Sequence, residues 1–163
     1  KNMRILFGKV ALASALVMLM AALVVPAQAA EVKNAYFSLE LPDGWIQPQP
    51  AQEVNGSAVV VVANQKSGTA VSISVMAAPM SAKDIATQTM ANMKTGGMQV
   101  EEPRERDGLY EAAFSKGAAK GMSWFGANGK ACAVTTVIGK SVDDAKVLLK
   151  GLKPVDASLF PKL

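Results

Sequence analysis

The sequence contains no histidine. Ser-His-Asp and Cys-His hydrolytic arrangements, His-containing zinc sites and the commonest general base near neutral pH are therefore all excluded. Cysteine is nearly absent too. Cys132 stands alone, so no intramolecular disulfide can form and no all-cysteine metal site exists. Within "KACAVTTVIG", Cys132 reads as a small buried hydrophobe on a strand; a thiol that reacts or pairs between molecules is the alternative. Glycines are scattered without phosphate-loop spacing.

Acidic residues are missing from the first thirty positions, where three basic ones, Lys1, Arg4 and Lys9, precede an uncharged run. Val10–Val25 contains Ser14 as its sole polar residue, and Ala27 and Ala29 follow in A-x-A spacing. Basic flank, apolar core and small-residue site describe a secretory signal cleaved after Ala29 by the Sec-type route. The sixteen-residue run is shorter than the roughly 20 residues of a spanning helix. Its retention as an inner-membrane anchor is the rival reading. Residues 1–29 hold three of the seventeen basic groups and none of the thirteen acidic ones, which leaves +1 on the remaining 134 residues. The basic isoelectric point thus belongs to the leader, and composition gives no support to nucleic-acid or anionic-membrane binding.

The mature part is the length of one domain. Phe37, Leu39 and Leu41 alternate with Tyr36, Ser38 and Glu40, the period of a half-buried strand. Pro42-Asp43-Gly44 then supplies turn chemistry. Trp45 emerges where it can fold back over the apolar face and plug the core; a ligand- or partner-facing tryptophan is the alternative. "IQPQPAQEVNG" reads as a surface loop. Ser57–Ala63, with four consecutive valines, predicts a strand covered on both faces, and Thr69–Met76 is its hairpin partner. Ser81 and Asp84 open a helix with a stripe of Ala82, Ile85, Ala86, Thr89 and Met93, ended by Gly96-Gly97. Strands are expected at Gln99–Arg104, Leu109–Ser115, Lys120–Ala127 and Lys130–Ile138, the last two joined by Asn128-Gly129. A second helix opens at Ser141 with Asp144, carries Val142, Ala145, Leu148, Leu149 and Leu152, and stops at Gly151 and Pro154.

The order β-β-β-α-β-β-β-β-α predicts an α+β domain, an antiparallel sheet of about six to seven strands packed by two main helices. Its expected bounds are 35–153, after a signal peptide (1–29) and a short segment (30–34), and before a C-terminal tail (154–163). This order, with the Phe37, Leu39, Leu41, Pro42, Gly44 and Trp45 pattern, resembles the PsbP/Mog-like (DcrB-like) superfamily. The resemblance covers about Ala35 to Leu152. It implies a binding or accessory role with no shared catalytic residues. The N-terminal extension that photosynthetic members use for docking has no counterpart here, so that role is not implied.

Candidate chemistry is sparse. The carboxylate pairs Glu101-Glu102, Glu105/Asp107 and Asp143-Asp144 include neighbours that point apart on a strand or suit a helix N-terminus. "EEPRERDG" reads as a charged strand edge that discourages aggregation. Arg104 and Arg106, with the aromatic pair Trp124 and Phe125, are the candidate partner-binding residues. Met90 and Met93, the centre of a methionine-rich stretch, are the candidate soft-metal ligands, since thioethers select Cu(I). Their other reading is core filling. The sequence implies no cofactor. Its expected function is an exported, non-catalytic binding or accessory module for an envelope protein or complex, located in the periplasm or secreted. The alternative is a small-ligand or copper-binding periplasmic protein.

Overall fold

The structure, a computed structural model, describes residues 31–140 and 142–163. The leader and the expected cap residue Ser141 lie outside the described residues. The chain runs β1 (Glu31–Lys33), β2 (Phe37–Glu40), β3 (Trp45–Ile46), β4 (Gln52–Val54), β5 (Ser57–Asn64), β6 (Thr69–Met76) and α1 (Ala82–Thr95). It continues with β7 (Gln99–Val100), β8 (Arg104–Arg106), β9 (Leu109–Lys116), β10 (Ala119–Ala127), β11 (Cys132–Gly139), α2 (Val142–Lys150) and β12 (Leu152–Pro154), and closes in a 3-10 turn at Ala157–Leu159. The fold is α+β with two helices and antiparallel pairing throughout, as the sequence predicts. The main sheet is nine-stranded, ordered β3-β5-β6-β11-β10-β9-β7, with β4 also on β5 and β8 also on β9. A separate three-stranded sheet is ordered β1-β2-β12. The extra strands are two or three residues long, too short for an alternating pattern to reveal them.

Two cores lie on opposite faces of the main sheet. On one face, Val60, Val62, Val71, Ile73, Trp124 and Val137 pack with Phe37 and Leu39 of the small sheet and Leu148 and Leu149 of α2. On the other, Ala112, Phe114, Phe125, Cys132 and Val134 pack beneath Ile85, Ala86, Met90 and Met93 of α1. Central strand β11 is buried on both faces from Cys132 through Val137. Trp45 is 8% exposed and belongs to the first core, so the aromatic behind Pro-Asp-Gly does plug it. Its backbone N–H donates to the carbonyl of Pro42 at 3.0 Å, closing the turn.

Helix α1 starts as its sequence dictates. The Ser81 hydroxyl accepts from the Asp84 N–H at 3.1 Å and donates to the Asp84 carboxylate at 2.7 Å, while Lys94 complements the dipole in the last turn. Helix α2 ends at Lys150, and Leu152, expected in its stripe, instead pairs with Leu39 in the small sheet.

Several expectations are corrected. The proline-rich stretch after Trp45 is an edge strand in two pieces rather than a plain loop. Trp45 pairs with Asn64 and Gln52 with Val59, so seven steps on this strand answer five on β5. Pro48 and Pro50, which have no N–H for the ladder, occupy the break. Two tight hairpins lie at Asn55-Gly56 (φ 52° and 73°) and Asp107-Gly108 (φ 53° and 80°), whose paired positive φ values are those of type I′ turns. Asn128-Gly129 closes a different turn: the Asn128 side chain accepts from the N–H groups of Lys130 and Ala131 at 2.9 and 2.7 Å. Residues 154–163, expected to be a tail, complete the first core. Leu159 and Phe160 are 3% and 2% exposed, and Phe160 meets Phe37 edge-on at 5.5 Å. The Leu159 backbone lies so close to Gly126 that a Cβ there would come within 2.5 Å of its carbonyl oxygen.

The Phe160→Ala variant should lose about 3–5 kcal/mol, measured by urea denaturation; a wild-type midpoint would return this segment to the status of a tail. Thr135 is 1% exposed and its hydroxyl has no hydrogen-bond partner. Thr135→Val should therefore raise the melting temperature, by the equivalent of about 1 kcal/mol, and a lowered one would mean that the hydroxyl is paired in solution.

Candidate partner-binding surface

Strand alternation separates the residues that the sequence groups together. Trp124 and Phe125 are neighbours on β10 and face opposite cores, at 6% and 0% exposure. As partner-binding residues they are corrected: both are packing residues with no surface to offer. The signal missed was the full burial of a strand lined by cores on both sides, which makes adjacent aromatics ordinary.

Arg104 and Arg106 lie at alternate positions of β8 and are exposed. The register sets Arg104 opposite Glu111 and Arg106 opposite Leu109. The Arg106 guanidinium reaches the Glu111 carboxylate at 3.4 Å and Asp107 at 3.9 Å. Between them Glu105 turns to the other side and accepts from the Tyr110 hydroxyl at 3.4 Å. Mixed charge at this exposed edge suits a strand that must not pair with another sheet. It offers no uncompensated field to a single anion.

Met90 and Met93 are 3% and 6% exposed and sit in the core beneath α1 with Met98 and Cys132. Met76, directly opposite Cys132 in the β6–β11 register, and Met80 pack against the same cluster. Burial pushes the Cys132 thiol above its ordinary pKa. Among the described residues, no group of three or more histidine, cysteine, aspartate or glutamate residues could hold a metal ion. The carboxylates expected as possible pairs are dispersed. Asp143 is held below the usual range by Lys146, which donates to it at 2.8 Å.

A shallow depression lies between the Asp107-Gly108 turn and the C-terminal segment, lined by Leu109, Ser158, Phe160 and Lys162. Asp156 anchors that segment. It accepts from the Ser158 hydroxyl at 2.7 Å and its N–H at 2.9 Å, and from the Asn128 amide at 2.8 Å. These bonds, the Ser158 hydroxyl first, hold its carboxyl below the usual range.

The most distinctive surface was not anticipated. Helix α1 packs on β7, β9, β10 and β11. The β5–β6 half of that face continues beyond the helix. Register places Val61 beside Ser72 and Ala63 beside Ala70, with Val59 beside Ser74. Val59, Val61, Ala63, Ala70 and Ser72 are half-buried and belong to neither core. Thus β5, predicted to be covered on both faces, is covered on one: Val60 and Val62 are 1% and 0% exposed, while the valines between them face outward. The row Val61, Ser72, Thr136, Ser123 runs from this open half to beneath α1, where Ser123 and Thr136 share a hydrogen bond of 2.9 Å. No charged side chain interrupts it.

No protein-family model matches the chain, and no curated protein matches it. Among solved structures, the solution structure of cyanobacterial PsbP (CyanoP) from Synechocystis sp. PCC 6803 is similar over 82% of this chain and 96% of that one, at 16% identity and a TM-score of 0.48. A crystal structure from Bacteroides thetaiotaomicron VPI-5482 is similar over 81% of this chain and 48% of that one, at 14% identity and a TM-score of 0.40.

A depressed carboxyl pKa stabilises above the unfolded value and loses that contribution as pH falls through the folded one. Acidification below the ordinary aspartate range should therefore loosen the Asp156 anchor. In an NMR titration the Ser158 amide should shift with an apparent pKa below 3.8; a midpoint at or above that value would mean the anchor is absent in solution.

Proposed function

We propose that this chain is an exported, non-catalytic binding module, an accessory part of an envelope protein complex. The observation that carries this reading is the open half of the main sheet. Val59, Val61, Ala63 and Ala70, with Ile46 of β3 beside Ala63, form a contiguous apolar strip, and Val60, Val62, Val71 and Ile73 are packed on the opposite face of the same strands. An apolar surface left beside a helix that covers the rest of the same face favours a contact role for it. It is an unsuitable place for acid–base or nucleophilic chemistry, because the polar groups that the register sets on this face are hydroxyls, those of Ser57, Ser72, Ser74 and Thr136, and the amide of Gln52, and no base is within the row to activate them.

Export is supported by the leader's basic flank, apolar core and Ala27-x-Ala29 site. Among the described residues, no helix is long and apolar enough to cross a membrane. The buried positions of Met90, Met93 and Cys132 favour packing over a ligand role for the sulfur cluster.

The reading is tested by placing a photo-crosslinking residue at Ser72 and, as control, at Val147, which is 67% exposed on α2. At native expression level, Ser72 should give one dominant adduct with an envelope protein and Val147 none. The adducted chain should begin at Ala30. Equal yields from the two positions, or adducts confined to cytoplasmic proteins, would sink the proposal.

A further inference from the structure

The open half-face is bounded in a way that restricts what can cover it. From Val59 to Ala63 it measures about 13 Å along the strands, and with β3 and β4, which set Ile46 beside Ala63 and Gln52 beside Val59, it is three strands or about 14 Å across. A stable dimer needs roughly 800 Å² from each partner, several times what such a strip supplies. A second copy of this chain is therefore a poor occupant. The width accommodates one α-helix with its side chains, and the length corresponds to about nine helical residues. Helix α1 already defines a layer above the same sheet, so a single helix laid beside it would fill the empty half to equal depth.

Charge gives that occupant a sign and a direction. No acidic residue occurs from Val54 to Lys83 or from Ala112 to Val142, the two stretches that contain β5, β6, β10 and β11. Lysines collect at one end of the open face. Ile138 pairs with Ala70, which brings the exposed Lys140 next to the β5–β6 turn that carries the exposed Lys66. Lys116 reaches the Gly96 carbonyl at 3.4 Å, so the C-terminus of α1, with the exposed Lys94, lies at that same end. One chain carboxylate, Asp43, lies at this end, in the turn whose Gly44 abuts the Asn64 side chain; Asp143 and Asp144 belong to the first turn of α2, which packs in the opposite core.

We infer that the open half-face receives one short amphipathic helix of a partner protein, lying beside α1, with an apolar stripe on Val59, Val61, Ala63 and Ala70 and an acidic end over Lys66 and Lys140. The inference rests on the binding-module reading and specifies its partner. A helix C-terminus facing the lysines would add its own negative dipole end to the attraction. The small footprint makes this one contact within a larger assembly rather than a self-sufficient interface.

The experiment uses the exported protein in cells, with photo-crosslinking residues at Val61, Ser72 and Arg104, and sequences the adducts by mass spectrometry. Adducts from Val61 and Ser72 should map to partner residues three or four apart on one segment with Asp or Glu at one end. The double variant Lys66→Glu/Lys140→Glu, both positions being exposed, should lower adduct yield about tenfold while the melting temperature stays unchanged. Adducts with a second copy of this chain, adducts at spacings of two or scattered over loops, or an unchanged yield in the double variant would each overturn the helix proposal. Adducts from Arg104 alone would overturn it and leave the binding-module reading standing. No adduct at any of the three positions would overturn both.

Discussion

The fold depends on β11 being sealed from water on both sides. Its residues alternate between the two cores: Ala133 and Val137 face α2 and the small sheet, Cys132 and Val134 face α1. A strand in this position cannot tolerate side chains that need water on either face, and the segment Ala131–Val137 contains none that is charged. Its polar members are short hydroxyls. Thr136 is satisfied across the strand by Ser123, whereas Thr135 faces the first core with its hydroxyl unpaired. Pairing to β6 on one side and β10 on the other then fixes where every other strand of the main sheet must stand.

Because the two faces are covered by different elements, they are covered to different extents. The first face receives α2, the small sheet and the C-terminal segment, and the core they form extends to Val60 and Val62 of β5. The second receives α1, which stops at β11. The same pair of strands is therefore packed on one side and open on the other. The small sheet makes this possible. By pairing β12 with β2, it brings the last residues of the chain back over the first core, where Phe160 meets Phe37 and the Leu159 backbone rests against Gly126. Sheet edges are managed by different means. Prolines break the strand along β5, and alternating charges line β8, so neither edge presents a long regular ladder to another chain.

Much of this was legible in the residues, and the failures share a cause. Fold class, both helices, the Ser81 cap and the inward Trp45 follow from local signals: period, capping chemistry and turn residues. What local signals do not carry is which layer covers which face. Four consecutive valines at Val59–Val62 are compatible with burial on both sides, and nothing in the segment says that α1 ends short of it. The same blindness made Trp124 and Phe125 a plausible surface pair, though alternation alone sends them to different cores. Short strands escaped for another reason. Asn55-Gly56 carried a hairpin signal as strong as Asn128-Gly129, but the prolines before it favoured a loop. Of the candidate site residues, only Arg104 and Arg106 proved exposed, and the open strip was not legible because it is defined by what fails to cover it.

An open apolar strip on a protein surface carries a cost, since it favours non-specific association. Three features limit it here. The strip is narrow, its outward positions alternate with buried ones so that only side chains and no free strand edge are offered, and Ser72 and Ser74 interrupt the apolar rows. The adjacent lysines keep like surfaces apart, because two copies placed face to face would bring Lys66 and Lys140 near the same residues of the other copy or leave them unpaired. A partner helix with an acidic end meets none of these obstacles. Selection against self-pairing and selection for an acidic partner are thus met by one set of charges, which is how specificity is built when the area available is too small to supply it by packing.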